Sequence, residues 1–127
     1  MATTSEKEKI VPTTTRNAYK AIAKRKTFTA GAMEARIVTS AAEFEAAVPR
    51  WAENKVGRRV MAEYGTWSQP STVYVITSYG WLCGAEIPRG DFGSDYFITG
   101  AKYSPTTNRH VSQVRMGFPT VNVVVGV

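Results

Sequence analysis

His110 is the only histidine in the chain, and its side chain is the first candidate for acid–base chemistry. An imidazole with an unperturbed pKa titrates near physiological pH, so it can take up or release a proton during a reaction. A nucleophile or an orienting acid could come from Ser104, Ser112, Asp91 or Asp95. Their spacing matches neither a catalytic triad nor a nucleophile elbow, and Ser104 is better used as a helix cap. We therefore expect no catalytic residue and no enzymatic activity.

Metal and cofactor sites are also not expected. One histidine and one cysteine, Cys83, cannot build a typical zinc site, and a single cysteine excludes an internal disulfide. The glycines at positions 80, 84, 90 and 93 do not have the spacing of a phosphate-binding loop.

Positive charge is concentrated near the start of the chain. Residues 1–26 contain seven Lys or Arg residues against Glu6 and Glu8, whereas the remainder contains nine basic and eight acidic residues. Basic segments attract phosphate, although solvated charge also keeps a small protein soluble. A basic helix over about 16–25 would present Arg16, Lys20 and Lys24 as candidate binding residues, with Arg25 and Lys26 also mainly outside.

A second basic strip is predicted on the helix over 105–116. Helical spacing places Arg109 and Arg115 on its outer side, with Lys102 nearby and His110 at the boundary with the core face. Tyr79 could stack on a base if its ring is exposed. The candidate binding surface therefore comprises Arg16, Lys20, Lys24, Tyr79, Lys102, Arg109, His110 and Arg115.

The helix that carries His110 has the clearest local signals in the sequence. Ser104 can accept a hydrogen bond from the first turn, and Pro105 suits the first helical position. Gly117 is predicted as the left-handed residue that ends the helix, before Pro119. We expect His110 to hydrogen-bond to the strand over 72–79 or to touch a ligand at the helix surface.

The other elements indicate a small α+β domain. Its sheet should contain about three to five antiparallel strands, centred on residues 72–79, 81–87 and 95–99, with helices packed on one face. Residues 1–12 are expected to form a polar tail and residues 13–127 a single domain. Further strands are predicted over 27–31, 32–39 and 121–125. Helical structure is predicted over 41–64 with an interruption at Pro49, and a capping box from Ser40 to Glu43 marks its start.

Composition indicates a soluble protein of a reducing compartment. Hydrophobic residues make up 43% of the chain and charged residues 20%, as in globular domains. No apolar run approaches the roughly 20 residues of a membrane span, and no apolar stretch follows the charged N-terminus as in a secretory signal. The lone cysteine fits a cytosolic protein.

Three stretches resemble a family of short uncharacterised proteins, a domain of unknown function, from phages of actinobacteria. They are a threonine-rich start to a basic helix, a strand that ends in S-Y-G, and the motif K-Y-S-x-T-T-x-x-H-x-x-x-V-R, and they match residues 13–18, residues 74–80 and residues 102–115. The resemblance covers about half of the chain. It implies a phage origin and the cytoplasm of the infected host cell, but no reaction and no ligand.

Three functions are compatible with these observations. The first is a non-enzymatic phage accessory protein that binds a host or phage protein, for host takeover or counter-defence, through a compact apolar patch with an exposed tryptophan. The second is nucleic-acid binding through the basic N-terminal helix and the helix over 105–116. The third is a metal-free ribonuclease-type toxin that uses Tyr79, Lys102, Arg109, His110 and Arg115.

Overall fold

The computed structural model describes residues 11–65, 70, 72–100, 104–119 and 123–126 of the 127-residue chain. The strands are β1 (Val11–Pro12), β2 (Phe28–Ala30), β3 (Met33–Val38), β4 (Val73–Ser78), β5 (Trp81–Pro88), β6 (Ser94–Thr99) and β7 (Val123–Gly126). The α-helices are α1 (Ala18–Ala23), α2 (Ala41–Ala47), α3 (Lys55–Tyr64) and α4 (Pro105–Gly117), and short 3₁₀ turns span Thr15–Asn17, Trp51–Glu53 and Gly90–Phe92.

The strands form one sheet in chain order, β1 to β7. Strands β2 to β6 pair antiparallel, which confirms the predicted α+β class and its antiparallel sheet. Two short strands extend the sheet in parallel, β1 beside β2 and β7 beside β6. Val11 and Pro12 pair with Phe28 and Thr29, so the sheet includes the last two residues of the segment predicted as a polar tail.

The two parallel pairs explain where α1 and α4 lie. Each pair is joined by a strand–helix–strand crossover, with α1 between β1 and β2 and α4 between β6 and β7. The strand pairings make β1 and β6 run in the same direction, and both crossovers step the same way across the sheet. Since such crossovers are almost always right-handed, both helices belong on the same face. They share one hydrophobic cluster there, which includes Ile22 from α1 and Val114 from α4.

Helices α2 and α3 cover the opposite face, so the prediction that helices pack on one face is corrected. In β4, Tyr74 and Ile76 belong to the cluster beneath α1 and α4, whereas Val73 and Val75 belong to the cluster beneath α2 and α3. Successive side chains of a strand point to opposite faces. The whole of β4 is buried, because both faces of the sheet are covered.

Two helices, α2 and α4, start at the predicted side-chain caps. The Ser40 hydroxyl accepts from the Glu43 N–H at the start of α2, and the Ser104 hydroxyl accepts from the Thr107 N–H at the start of α4. Asn54, which was not predicted as a cap, caps α3 by accepting from the Gly57 N–H. These bonds satisfy amides that have no partner within their own helix.

The predicted role of Gly117 is wrong in its detail. Its φ is not positive, and it is the last residue of α4 rather than a left-handed residue after the helix. A Cβ at this position would lie 2.6 Å from the Cβ of Ile22 and 2.9 Å from the carbonyl oxygen of Tyr19. Glycine is therefore needed because α1 and α4 approach each other closely. The Tyr19 N–H also donates to the Gln113 side chain, at 2.9 Å.

Candidate functional site

Helix α1 is shorter than predicted and ends in a tight turn. The Arg25 N–H donates to the Ile22 carbonyl (2.9 Å) and the Lys26 N–H to the Ala21 carbonyl (3.0 Å), the two bonds of a Schellman motif. Arg25 occupies the position that usually holds glycine, and its φ is +53°. The turn reverses the chain into β2, so that Lys26 lies beside the lysines of α1.

The Arg25 side chain is turned towards the sheet, not outwards as predicted. Its guanidinium pairs with Glu86 and donates to the Tyr96 hydroxyl (3.2 Å), and it lies 5.2 Å from the ring centre of Phe118. Burial opposes the charge of Arg25, but the hydrogen bond and attraction of Glu86 raise its pKa overall. Burial would raise the pKa of Glu86, yet hydrogen bonds from Arg25 and Ser94 lower it. This ion pair fixes the end of α1.

A cleft of about 270 Å³ lies between α1 and the start of β2. Its walls carry three lysines, an amide and a hydroxyl, and they are formed by Thr13, Asn17, Lys20, Ala21, Lys24, Lys26 and Phe28. We call this the lysine cleft. It lies on the side of α1 that faces away from α4, since the contacts with α4 are made by Tyr19 and Ile22.

Among the described residues, no acidic side chain pairs with the lysines of the cleft. Between residues 13 and 26 there are five basic residues and no acidic one. Lys20, Lys24, Lys26 and the adjacent Arg16 are exposed, and none forms an ion pair with an acidic residue that the structure describes. Elsewhere arginines meet carboxylates in the pairs Arg25–Glu86, Arg36–Glu34, Arg50–Glu53, Arg59–Glu63 and Arg89 with both Glu63 and Asp95.

This arrangement suits an anionic group. Three lysines that line one concave surface repel each other through their like charges, and a bound anion reduces that repulsion. The Asn17 amide and the Thr13 hydroxyl line the same cleft and can donate hydrogen bonds to phosphate oxygens. The volume is below the roughly 300–1,000 Å³ of sites that enclose a small molecule, so the cleft fits a phosphate or a sugar–phosphate unit.

His110 is buried and holds α4 to the sheet. Its Nδ1 shares a hydrogen bond with the Ser78 hydroxyl on β4 (2.7 Å), and that hydroxyl lies 3.1 Å from the Thr107 hydroxyl. The predicted bond between His110 and the strand is thereby confirmed. Burial lowers the pKa of His110, which favours its neutral form. Only 2% of His110 and none of Ser78 is exposed, so this serine–histidine pair has no open access to a substrate.

The remaining candidate residues do not line the lysine cleft. Arg109 and Arg115 are exposed on α4, outside the lysine cleft, and Lys102 lies outside the described residues. Tyr79, the candidate for stacking on a base, is 53% exposed. The cleft thus combines two predicted residues, Lys20 and Lys24, with residues that sequence reasoning did not select.

The omitted residues are Lys26, Asn17 and Thr13. Lys26 follows α1 and reaches the cleft only because the chain reverses at Arg25, a turn that normally requires glycine. The sequence signal for this cleft is the segment from residue 13 to residue 26, which contains basic residues and no acidic one.

Other kinds of site find little support in the described part of the chain. Among those residues, no group of three or more His, Cys, Asp or Glu side chains could hold a metal ion. None of the described helices has both the length and the apolar character needed to cross a bilayer. No protein-family model matches the sequence, and neither a curated protein nor a solved structure matches it significantly.

Proposed function

We propose that this protein acts by binding, without catalysis, and that its ligand is the phosphate backbone of a nucleic acid. The observation that carries this proposal is the lysine cleft, where Lys20, Lys24 and Lys26 line one concave surface without an acidic partner among the described residues. A polyanion gains affinity from such a surface by releasing its condensed counterions.

The number of basic residues in and beside the cleft limits the number of phosphate contacts. The three lysines and the neighbouring Arg16 can neutralise about three to four phosphates. For four contacts, the logarithm of the binding constant should fall with the logarithm of salt with a slope of about −3 for single strands and about −3.6 for duplex DNA. Affinity should then drop roughly 50- to 150-fold between 50 and 200 mM salt.

Fluorescence anisotropy across a salt series tests the proposal. Labelled duplex DNA, single-stranded DNA and RNA of equal length should bind the protein at low salt. Their binding constants should fall with rising salt with the slopes given above. Absence of binding to all three probes at 50 mM salt would contradict the proposal, and the net charge of +6 would then serve only solubility.

Binding of a host or phage protein is the second candidate, and Phe92 favours it. The Phe92 side chain is 91% exposed on the turn between β5 and β6. However, the exposed large apolar residues of the described part lie on separate elements, namely Ile37 on β3, Tyr79 after β4, Phe92 after β5 and Met116 on α4. Trp51 and Trp81 are partly buried, and Trp67 lies outside the described residues.

The phage origin and the host cytoplasm rest on the resemblance of the motifs. If a host protein is the partner, Phe92→Ser should weaken its capture, and binding should depend little on salt. A ribonuclease-type reaction is the least supported candidate, because His110 is committed to a buried bond with Ser78.

A further inference from the structure

The turn between β4 and β5 holds an aromatic residue in an unfavourable backbone conformation. Ser78 pairs with Trp81, so the loop consists of Tyr79 and Gly80 alone. Both residues have positive φ, 53° and 86°, as in a type I′ turn. Such turns favour Asn-Gly, because asparagine and glycine tolerate left-handed backbone. Gly80 fits its position, whereas a tyrosine at position 79 is strained.

Contacts within the described part of the molecule account for only part of this tyrosine's surface. About half of Tyr79 is exposed. Its ring stacks loosely against that of buried His110, with centroids 6.4 Å apart and planes inclined by 30°. Its hydroxyl makes no hydrogen bond with a residue that the structure describes. A strained backbone conformation that gains little packing in return indicates a function at the surface.

The position of Tyr79 connects it to the exposed arginines. The strand pairings make β1, β4 and β6 run in the same direction. The end of β4 therefore lies at the same end of the sheet as the starts of α1 and α4. Arg16 precedes α1, and Arg109 lies next to His110 in the early part of α4. One end of the molecule thus presents an aromatic ring and two exposed cations.

We infer that Tyr79 is a stacking platform for an unpaired nucleobase, so that the nucleic acid bound is single-stranded. The backbone would pass Arg109 and Arg16 and continue past Asn17 into the lysine cleft. Stacking on an aromatic ring accepts every base, because each base has a π-face. This inference rests on the proposed function, since the lysine cleft supplies the backbone contacts.

Two substitutions of Tyr79 separate stacking from folding. Tyr79→Asn removes the ring and places a preferred residue in the turn, so the variant should be at least as stable as the native protein. Tyr79→Phe keeps the ring and removes the hydroxyl. The probe is a single-stranded oligothymidine with one 2-aminopurine, whose fluorescence falls when it stacks. A second oligonucleotide carries abasic sites in place of bases, and thermal unfolding verifies the fold of each variant.

The native protein should bind the oligothymidine with quenching, and Tyr79→Asn should weaken binding by about 5- to 150-fold. The salt slope should not change, because no charge is removed. Tyr79→Phe should behave like the native protein. The abasic oligonucleotide should bind the native protein and Tyr79→Asn equally.

Three outcomes would overturn the inference. If Tyr79→Asn bound the oligothymidine as tightly as the native protein while Lys20→Gln/Lys24→Gln lost affinity, the proposed function would stand and stacking would fail. Equal affinity of the native protein for duplex and single strand, without quenching, would have the same meaning. If the native protein bound no nucleic acid, the proposed function would fail, and the inference with it.

Discussion

The close contact between α1 and α4 can be tested by adding a single methyl group. Gly117→Ala would place a Cβ 2.6 Å from two side-chain carbons of Ile22 and 2.9 Å from the Tyr19 carbonyl oxygen. Ordinary contacts of a Cβ are 3.4–4 Å. The two helices would have to separate by most of an ångström, because the Ile22 Cβ and a backbone oxygen cannot be moved by a change of rotamer.

Two opposing effects determine the magnitude. Alanine is favoured over glycine by about 1 kcal/mol within a helix, and by less at the final residue. Overpacking of a well-packed core typically costs about 1–3 kcal/mol. We therefore expect Gly117→Ala to lower the free energy of unfolding by about 1–2 kcal/mol. The lysine cleft should also weaken as a binding site, since α1 forms one of its walls.

Gly65→Ala is the matched control. Gly65 follows the last residue of α3, its φ is −88°, and the nearest atom to an added Cβ is the Ala62 carbonyl oxygen at 3.5 Å. This variant should be unchanged or about 0.4–1 kcal/mol more stable, because alanine restricts the unfolded chain. Urea unfolding followed by circular dichroism and tryptophan fluorescence measures both variants. Equal stability of the two would show that α1 does not pack on α4 as described.

Two further substitutions test buried polar groups. Ser78→Ala leaves the Nδ1 of His110 without its partner and should cost about 1–3 kcal/mol in urea unfolding, whereas Ser112→Ala, on the exposed side of α4, should change stability by less than about 0.5 kcal/mol. Because burial lowers the pKa of His110, the folded state binds fewer protons than the unfolded chain. The contribution of His110 to the free energy of unfolding is therefore complete above about pH 6.5 and declines as the pH falls towards the folded pKa. His110→Gln should remove this decline. The pKa of Glu86 is lowered overall, because hydrogen bonds and attraction from Arg25 and others outweigh the effect of burial. The contribution of Glu86 to stability is therefore present above about pH 4.5 and lost at lower pH. Glu86→Gln should flatten this acid limb of the stability curve.

These substitutions are tested by measuring the free energy of unfolding from pH 8 to pH 3. A Ser78→Ala variant as stable as Ser112→Ala would exclude the bond between Ser78 and His110. A decline below pH 6.5 that persisted in His110→Gln would have to come from another group. An unchanged acid limb in Glu86→Gln would show that the ion pair with Arg25 does not contribute to stability.

Local signals were sufficient for most elements and for the role of His110. Ser104 caps α4 as predicted, because a cap depends on residues only three positions apart. The β-branched and aromatic run of β4 identified the central strand. His110 lies on the boundary of the α4 core face and β4 was expected beneath it, so a bond between them followed from the helical period. The antiparallel order of β4, β5 and β6 followed from their short connections.

Long-range packing decided what the sequence could not predict. The right-handed crossovers place α1 and α4 on one face and leave the other face to α2 and α3, which no single segment reveals. Gly117 was interpreted from its position at a helix end, whereas its reason is the approach of Ile22, far away in the chain. Arg25 looked like another outward cation until its ion pair with Glu86 was visible.

The lysine cleft as a phosphate site is tested most directly by two matched double variants. Lys20→Gln/Lys24→Gln removes two charges from the cleft, and Lys55→Gln/Arg58→Gln removes two exposed charges from α3 on the other face of the sheet. Binding of a labelled oligothymidine is measured by anisotropy from 50 to 200 mM salt. The cleft variant should lose about 1.4 units of salt slope, and the α3 variant should keep the native slope. Equal losses in the two variants would contradict a defined site, because binding would then follow net charge alone.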